Sequence, residues 1–465
     1  MTKILNDYGL KVPKSNRVFL KSYKGLKKYT RLVLWSCMVP RHLYKDFMLL
    51  SSNMETIRRS GEKFAGLYFK GSFAFIVNFC NHSIQPSRLG EIQIRSSKRG
   101  LPVIIPRSLR SKCIEGDKVI ISALLTLFNI FRCIKRTHSK VSTITDPFDG
   151  LYNTIPMKGD ILKSLGIRPH TFKIKYVMPT SSGPGGRFSV LRSGLDATTL
   201  LLKYPKIYIK MIRLSFKFDN STIFICLLIL ISLLNIPIWL LSKNHFFVIG
   251  RLGFLEEGAG KVRVVAMLDW TQCLFKDIHD HVFSLLKDIH EDCTFDQVRP
   301  IESFYDINRN YPTASFDLSS ATDRLPIRLQ SDLLNQIMGG VGDLGDILTD
   351  RDYFIPSDAS TIKYSVGQPM GAYSSFAMLA LSHHYLVRYA AFQVNYKSPS
   401  YCLLGDDIVL GRSKVFFESY RSLMIGLGVK INLQKSLLSE NGNIEFTKRL
   451  WTPYGEISPI GSRNI

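Results

Sequence analysis

The chain is almost continuously apolar from 119 to 131, a stretch too short to cross a bilayer, which predicts a short buried helix. From Asp219 to Lys243 there is no charged residue between the two ends, and 223–241 is nearly all aliphatic, so hydropathy alone would place a transmembrane helix there. Asn235-Ile236-Pro237 interrupts that run, because proline removes a backbone donor and restricts the residue before it. A single span would also put the residues on its two sides, which read as one catalytic unit, on opposite faces of a membrane. The segment is therefore expected to be a buried insertion or a peripheral membrane contact. From 251 onward, short strand-like runs at 263–266, 314–316 and 401–404 alternate with helical spacing at 277–289 and 375–391, which predicts an α+β layer.

Charge divides the chain differently. The formal net charge is +24, and residues 1–250 carry 40 basic against 12 acidic side chains, whereas 251–465 carry 21 against 25. The first part suits a polyanion or an anionic membrane surface, and the second gathers carboxylates that a metal can use. With 45% hydrophobic and 21% charged residues the chain can bury a large core, which excludes a disordered or collagen-like polymer. Its 8 cysteines include no Cys-x-x-Cys, so neither a zinc knuckle nor a disulfide framework is indicated. No secretory signal is visible in the Lys-rich N-terminus.

The sharpest chemistry lies at Leu403-Leu404-Gly405-Asp406-Asp407-Ile408-Val409-Leu410, two apolar runs around a turn, read as a β-hairpin with adjacent carboxylates at its tip. Neighbouring carboxylates repel unless a cation neutralises them. Upstream, Asp317 ends a strand-like run, and Asp323 either returns to the same site or caps the next helix. Asp317, Asp406 and Asp407 form a set suited to two divalent ions about 4 Å apart, the arrangement of nucleotidyl transfer. Lys261 and Arg263 alternate onto one face of a strand, where two cations match a triphosphate. A Gly-rich loop, 367–375, contains Gly371, Ser374 and Ser375 and can meet a nucleic-acid backbone or sugar. The breaker-rich loop 179–187 offers Arg187 to a phosphate.

In order, GFLEEGAGKVRVVAMLDW (253–270), CTFDQ (293–297), SFDLSSATDR (315–324), GQPMGAYSSFAMLALSHH (367–384), LLGDDIVL (403–410) and NLQKSLLSENGNIEFTKR (432–449) resemble the palm of viral RNA-dependent RNA polymerases, in wording like that of the mitovirus group. The resemblance implies a right-hand polymerase fold, RNA template and product, ribonucleoside triphosphates, and Mg²⁺ or Mn²⁺. It assigns metal binding to Asp317 and Asp406 with Asp407 in support, ribose sensing to Asp323, triphosphate contacts to Lys261 and Arg263, and proton donation to pyrophosphate to Lys435. An asparagine partner for Asp323 is missing if Ser375 is the family's hydroxyl residue, since Leu379 stands where it belongs; Ser374 or Ser375 is the expected substitute. The expected division is a basic N-terminal region associated with fingers (1–160), fingers with the apolar insertion 221–241 (161–300), palm (301–450), and the start of a short, missing or truncated thumb (451–465). A mitochondrial location follows from the resemblance alone, and no protein partner is expected. The competing readings are a reverse transcriptase, disfavoured by Leu404-Gly405 before the aspartates, and a truncated, inactive RNA-binding remnant.

Overall fold

The computed structural model describes residues 23–81, 88–89, 92–133, 141–169, 184, 189–217, 221–241, 248–256, 262–433, 436–453 and 455–461. Lys261, Arg187 and Lys435 lie outside them.

The first helices, α1 (Tyr23–Ser36), α2 (Tyr44–Arg59) and α3 (Glu62–Cys80), pack with α4 (Arg107–Ile114) and α5 (Lys118–Phe128); a two-residue-per-strand ribbon, β1 (Arg88–Leu89) and β2 (Ile92–Gln93), lies between α3 and α4. Helix α5 is the apolar run expected to be buried. Asp117 starts it by accepting hydrogen bonds from the Val119 and Ile120 amides at 3.0 and 3.2 Å, and Ile120, Ile121, Leu124, Leu125, Leu127 and Phe128 are fully buried. The same core contains Leu437, Leu450 and Ile457 from the far end of the chain.

Two short helices, α6 (Ser142–Thr145) and α7 (Gly159–Ser164), lead to a helical group, α8 (Ser189–Lys203), α9 (Pro205–Ser215), α10 (Ser221–Leu234) and α11 (Ile236–Leu241). The break between α10 and α11 falls at Asn235, where the proline argument placed it. The expectation of a buried insertion is corrected here: Leu228 and Ser232 are buried in α10 and no residue of α11 is, while Ile223, Leu230, Leu234, Leu240 and Leu241 are more than half exposed. Among the described residues no helix is long and apolar enough to cross a membrane.

The remaining chain is α+β. Strands β3 (Gly250–Glu256) and β4 (Val262–Leu268) pair antiparallel, then come α12 (Lys276–Asp288), α13 (Arg299–Asn308), β5 (Thr313–Asp317), α14 (Ala321–Arg324), α15 (Ile327–Met338) and α16 (Leu344–Thr349). After β6 (Tyr353–Ile355) and β7 (Ser360–Ile362) follow α17 (Ser375–Gln393), the hairpin β8 (Ser400–Leu404) and β9 (Asp407–Gly411), and α18 (Lys414–Gly426). Strands β10 (Leu437–Ser439), β11 (Ile444–Phe446), β12 (Arg449–Thr452) and β13 (Gly455–Glu456) close the described chain. The central sheet has the order β10-β5-β9-β8, antiparallel throughout. Helix α17 packs in its core and is apolar on nearly every side, as a helix without a solvent face must be.

The N-terminal helices are tied to the last strands by polar contacts as well. Asn81 Nδ2 donates to the Leu438 carbonyl at 2.9 Å, Ser122 Oγ donates to the Ser458 carbonyl at 2.9 Å, and the Ile460 amide donates to Thr126 Oγ1 at 3.0 Å.

Candidate active site

Register in the central sheet decides the carboxylate geometry. Asp317, the last residue of β5, stands opposite Asp407, the first residue of β9, and Asp407 in turn stands opposite Leu404 across the hairpin. Gly405 and Asp406 form the two-residue turn; Gly405 takes φ +61°, which a side chain would oppose, and a Cβ there would lie 2.8 Å from the Phe376 ring. Asp406 is exposed at the tip and Asp317 and Asp407 are half-buried. The expected three-carboxylate set is thus gathered by backbone. It is not closed into a cage: among the described residues no group of three His, Cys, Asp or Glu side chains converges to hold a metal. The donors are all hard carboxylate oxygens, a set that fits Mg²⁺ or Mn²⁺.

Asn432 and Ser436, described residues on either side of 434–435, are tethered to this point. The Asp317 amide donates to Ser436 Oγ at 3.1 Å, and the Asn432 amide donates to the Asp317 carbonyl at 2.9 Å, so both residues hold the main chain of Asp317. Beneath lies a carboxyl that sequence reasoning missed. Glu445 on β11 is pushed up to about 7 by burial, with Asp317 and Asp407 adding repulsion and Arg132 opposing the shift.

Asp323 is not a helix cap. It sits inside α14, whose N-cap position is Ser320, and its Oδ2 accepts a hydrogen bond from Thr143 Oγ1 at 2.7 Å. Burial raises its pKa, and the Thr143 bond opposes that shift. Of the two serines expected to hold Asp323, Ser374 turns its hydroxyl away, with Oγ donating to the Tyr373 carbonyl at 2.6 Å. Thr143 lies 180 positions upstream, outside every motif.

The Gly-rich loop joins these parts at its glycines, where no Cβ stands in the way. The Gly367 amide donates to the Asp323 carbonyl at 3.0 Å, and a Cβ at Gly367 would lie 2.2 Å from the Thr322 carbonyl oxygen. Gly371 is exposed with φ +104°, and the Ala266 amide of β4 donates to the neighbouring Met370 carbonyl at 2.7 Å. Arg263 on β4 is exposed, with Nη1 4.0 Å from Met370 Sδ, so the loop and the cationic strand share one edge. Ser320 and Ser374 both take left-handed backbone, at φ 53° and 67°, a cost of about 1–3 kcal/mol each that clusters at functional sites. The Ser374 amide donates to His279 Nδ1 at 3.0 Å, and burial lowers the His279 pKa, which keeps that nitrogen an acceptor.

Behind the hairpin turn, buried His383 on α17 bridges two groups, with Nδ1 2.8 Å from the Gly405 carbonyl oxygen and Nε2 2.6 Å from Tyr420 Oη. A carbonyl oxygen can only accept, so Nδ1 carries the proton and the tyrosine hydroxyl donates to Nε2. Burial depresses the histidine to about 4, which keeps it neutral. His383 falls inside the 367–384 motif, which assigned it no role; its buried contact to the aspartate-bearing turn does.

Residues 170–465 match the family described as Mitovirus RNA-dependent RNA polymerase. The RNA-directed RNA polymerase of Cryphonectria parasitica mitovirus 1 (strain American chestnut tree/New Jersey/NB631) is 34% identical over 453 residues, covering 92% of this chain and 55% of the relative. The chain thus spans about half the length of that relative. An uncharacterized mitochondrial protein of Arabidopsis thaliana is 36% identical over 194 residues, which are 39% of this chain and 76% of that protein. Among solved structures, the RNA-dependent RNA polymerase of a human picorbirnavirus aligns over 44% of this chain and 43% of its own, with a TM-score of 0.36 and 18% identity.

Proposed function

Because the chain belongs to the mitovirus RNA-dependent RNA polymerase family, we propose that it performs template-directed RNA synthesis by nucleotidyl transfer, with the right-hand arrangement of palm (301–450) and fingers (161–300). The observation that carries this reading is the cross-strand pair Asp317–Asp407 with Asp406 on the adjoining turn. Asp317 and Asp406, with Asp407 in support, would hold Mg²⁺ or Mn²⁺, and a divalent ion there supplies activation of the attacking hydroxyl and neutralisation of the phosphate oxygens. Asp323 is the ribose sensor in this reading: Thr143 fixes one carboxylate oxygen and orients the other toward the 2′-hydroxyl. Lys261 and Arg263 hold the triphosphate, Arg263 by a bidentate contact and Lys261 as a point charge. Ser374, Ser375 and Gly371 shape the sugar and backbone contact, Arg187 adds a phosphate contact, and Lys435 donates a proton to departing pyrophosphate. The strongly basic first 250 residues supply sequence-independent attraction to template and product RNA. The likeness to mitovirus and plant mitochondrial proteins supports action in mitochondria.

Primer extension by the purified chain tests the reading, with Asp406→Ala as the control. The expected result is incorporation by the wild type, none by the variant, and RNA affinity that is equal in both and falls steeply with salt. RNA binding without extension by the wild type under Mg²⁺ and Mn²⁺ would instead identify an RNA-binding remnant.

A further inference from the structure

Helices α10 and α11 are docked with their polar side inward. Ser232 is buried: its backbone carbonyl accepts from Thr198 Oγ1 at 2.8 Å, and its hydroxyl is 3.0 Å from Tyr208 Oη. Trp239 Nε1 donates to Thr199 Oγ1 at 3.1 Å, and the Asn235 amide lies so close to α8 that a Cβ at Gly194 would approach its Nδ2 to 2.9 Å. This seam of hydroxyls, amide and indole fixes the pair against α8 and α9. The aliphatic side chains are therefore left outward, with Leu230 52%, Leu234 66% and Leu241 88% exposed. Water is a poor solvent for such a face, and a helix apolar on nearly all sides is covered by something.

The charge around this face selects the cover. On α8 to α11, Lys203 and Lys206 are exposed, while Asp196, the acidic residue described on these helices, is buried; Arg213 is exposed too but lies 3.9 Å from the Asp343 carboxylate. Exposed Ile209 and Phe216 extend the apolar surface among these cations, and Lys203 Nζ lies 5.9 Å from the centre of the Trp239 ring. A second copy of the chain would bring like charges together across the contact. An anionic bilayer surface complements both features, taking aliphatic side chains between its headgroups while its phosphates meet the cations. Neither helix can span: at 1.5 Å per residue, the 14 residues of α10 reach about 21 Å and the 6 of α11 about 9 Å, against a hydrocarbon core of about 30 Å.

We propose that the outward face of α10 and α11 seats this protein in the plane of an anionic membrane surface. Residues on both sides of the insertion then remain on one side of the bilayer, and the site described above stays in water. This goes beyond the polymerase reading and does not depend on it.

The test is co-flotation of the full chain with vesicles of phosphatidylcholine containing phosphatidylglycerol, compared with phosphatidylcholine alone. The triple variant Leu230→Ser, Leu234→Ser, Leu241→Ser changes exposed positions and is expected to keep the wild-type circular dichroism and RNA affinity. The wild type should bind the anionic vesicles, the triple variant at least tenfold more weakly, and Lys203→Glu with Lys206→Glu should remove the preference for anionic over neutral lipid. A wild type that stays off the anionic vesicles overturns the proposal, as does equal binding by the triple variant. A dimer in sedimentation velocity that the serines dissociate, with vesicle binding unchanged, would give this face to a second copy and also overturn it.

Discussion

Asp317 and Asp407 are direct cross-strand neighbours, one closing β5 and the other opening β9. Like charges placed opposite each other on a sheet repel, and a cation bound beside them relieves that repulsion. Asp407→Asn should reduce nucleotide incorporation. Thermal unfolding with and without Mg²⁺ checks the relief: Mg²⁺ should raise the midpoint of the wild type and leave that of Asp317→Asn almost unmoved. Equal Mg²⁺ responses would remove the pair from the metal site.

The Thr143–Asp323 bond makes ribose selection depend on a residue outside the polymerase motifs. Asp323→Ala is expected to lower the ratio of catalytic efficiencies for GTP over dGTP. Thr143→Val should lower it in the same direction by a smaller factor, because a hydrogen bond to a charged group is worth about 1.5–3 kcal/mol. Ser374→Ala should leave the ratio close to wild type, since its hydroxyl bonds the Tyr373 carbonyl. Kinetics with both nucleotides in the three variants decide the matter.

His383 acts on the turn through the Gly405 carbonyl rather than on substrate. Asparagine can place an amide N–H near the position of Nδ1, so His383→Asn should retain much of the extension rate. His383→Leu, which cannot donate, should lose up to about 100-fold, the scale of an ångström's misplacement in an active site. RNA affinity should be the same in both. Tyr420→Phe leaves Nε2 buried without its hydroxyl donor and should cost about 1–3 kcal/mol in urea unfolding.

Asp196 governs a pH dependence remote from the active site. It is buried on α8 and pushed up to about 7 by that burial, with Asp269 adding repulsion and Arg192 and Arg351 opposing it. An acid whose folded pKa is raised stabilises the fold fully below its unfolded pKa, near 4, and this contribution is lost as pH rises through 7. Asp196→Asn removes the penalty. The variant should match the wild type near pH 4 and exceed it by about 2–4 kcal/mol at pH 8, measured by denaturant unfolding at both values. A gap that does not grow with pH would show that Asp196 is ionised throughout.

Local sequence was sufficient wherever a short pattern carries its own physics. Apolar runs around Leu404-Gly405-Asp406-Asp407 can form little other than a hairpin, because glycine accepts the turn and the flanks must be buried. The strand ending in Asp317, the strand carrying Arg263, the helix from Ser375 and the break at Asn235 were legible for the same reason: each depends on neighbours within about ten positions. Family wording added roles to those residues, which residue spacing alone did not assign.

Only tertiary structure decided which residues meet. The opposition of Asp317 and Asp407 is a matter of register between strands with α14 to α17 and β6 to β8 between them in the chain, and register depends on the pairing partner rather than on either strand. Thr143 reaches Asp323 from 180 positions away, and His383 meets the turn because α17 packs beneath it. Sequence left the apolar insertion between a buried position and a peripheral membrane contact, because a helix with little contrast between its faces does not declare which one it buries. The polar seam of Ser232, Asn235 and Trp239 against α8 made that choice, and turned the aliphatic side outward.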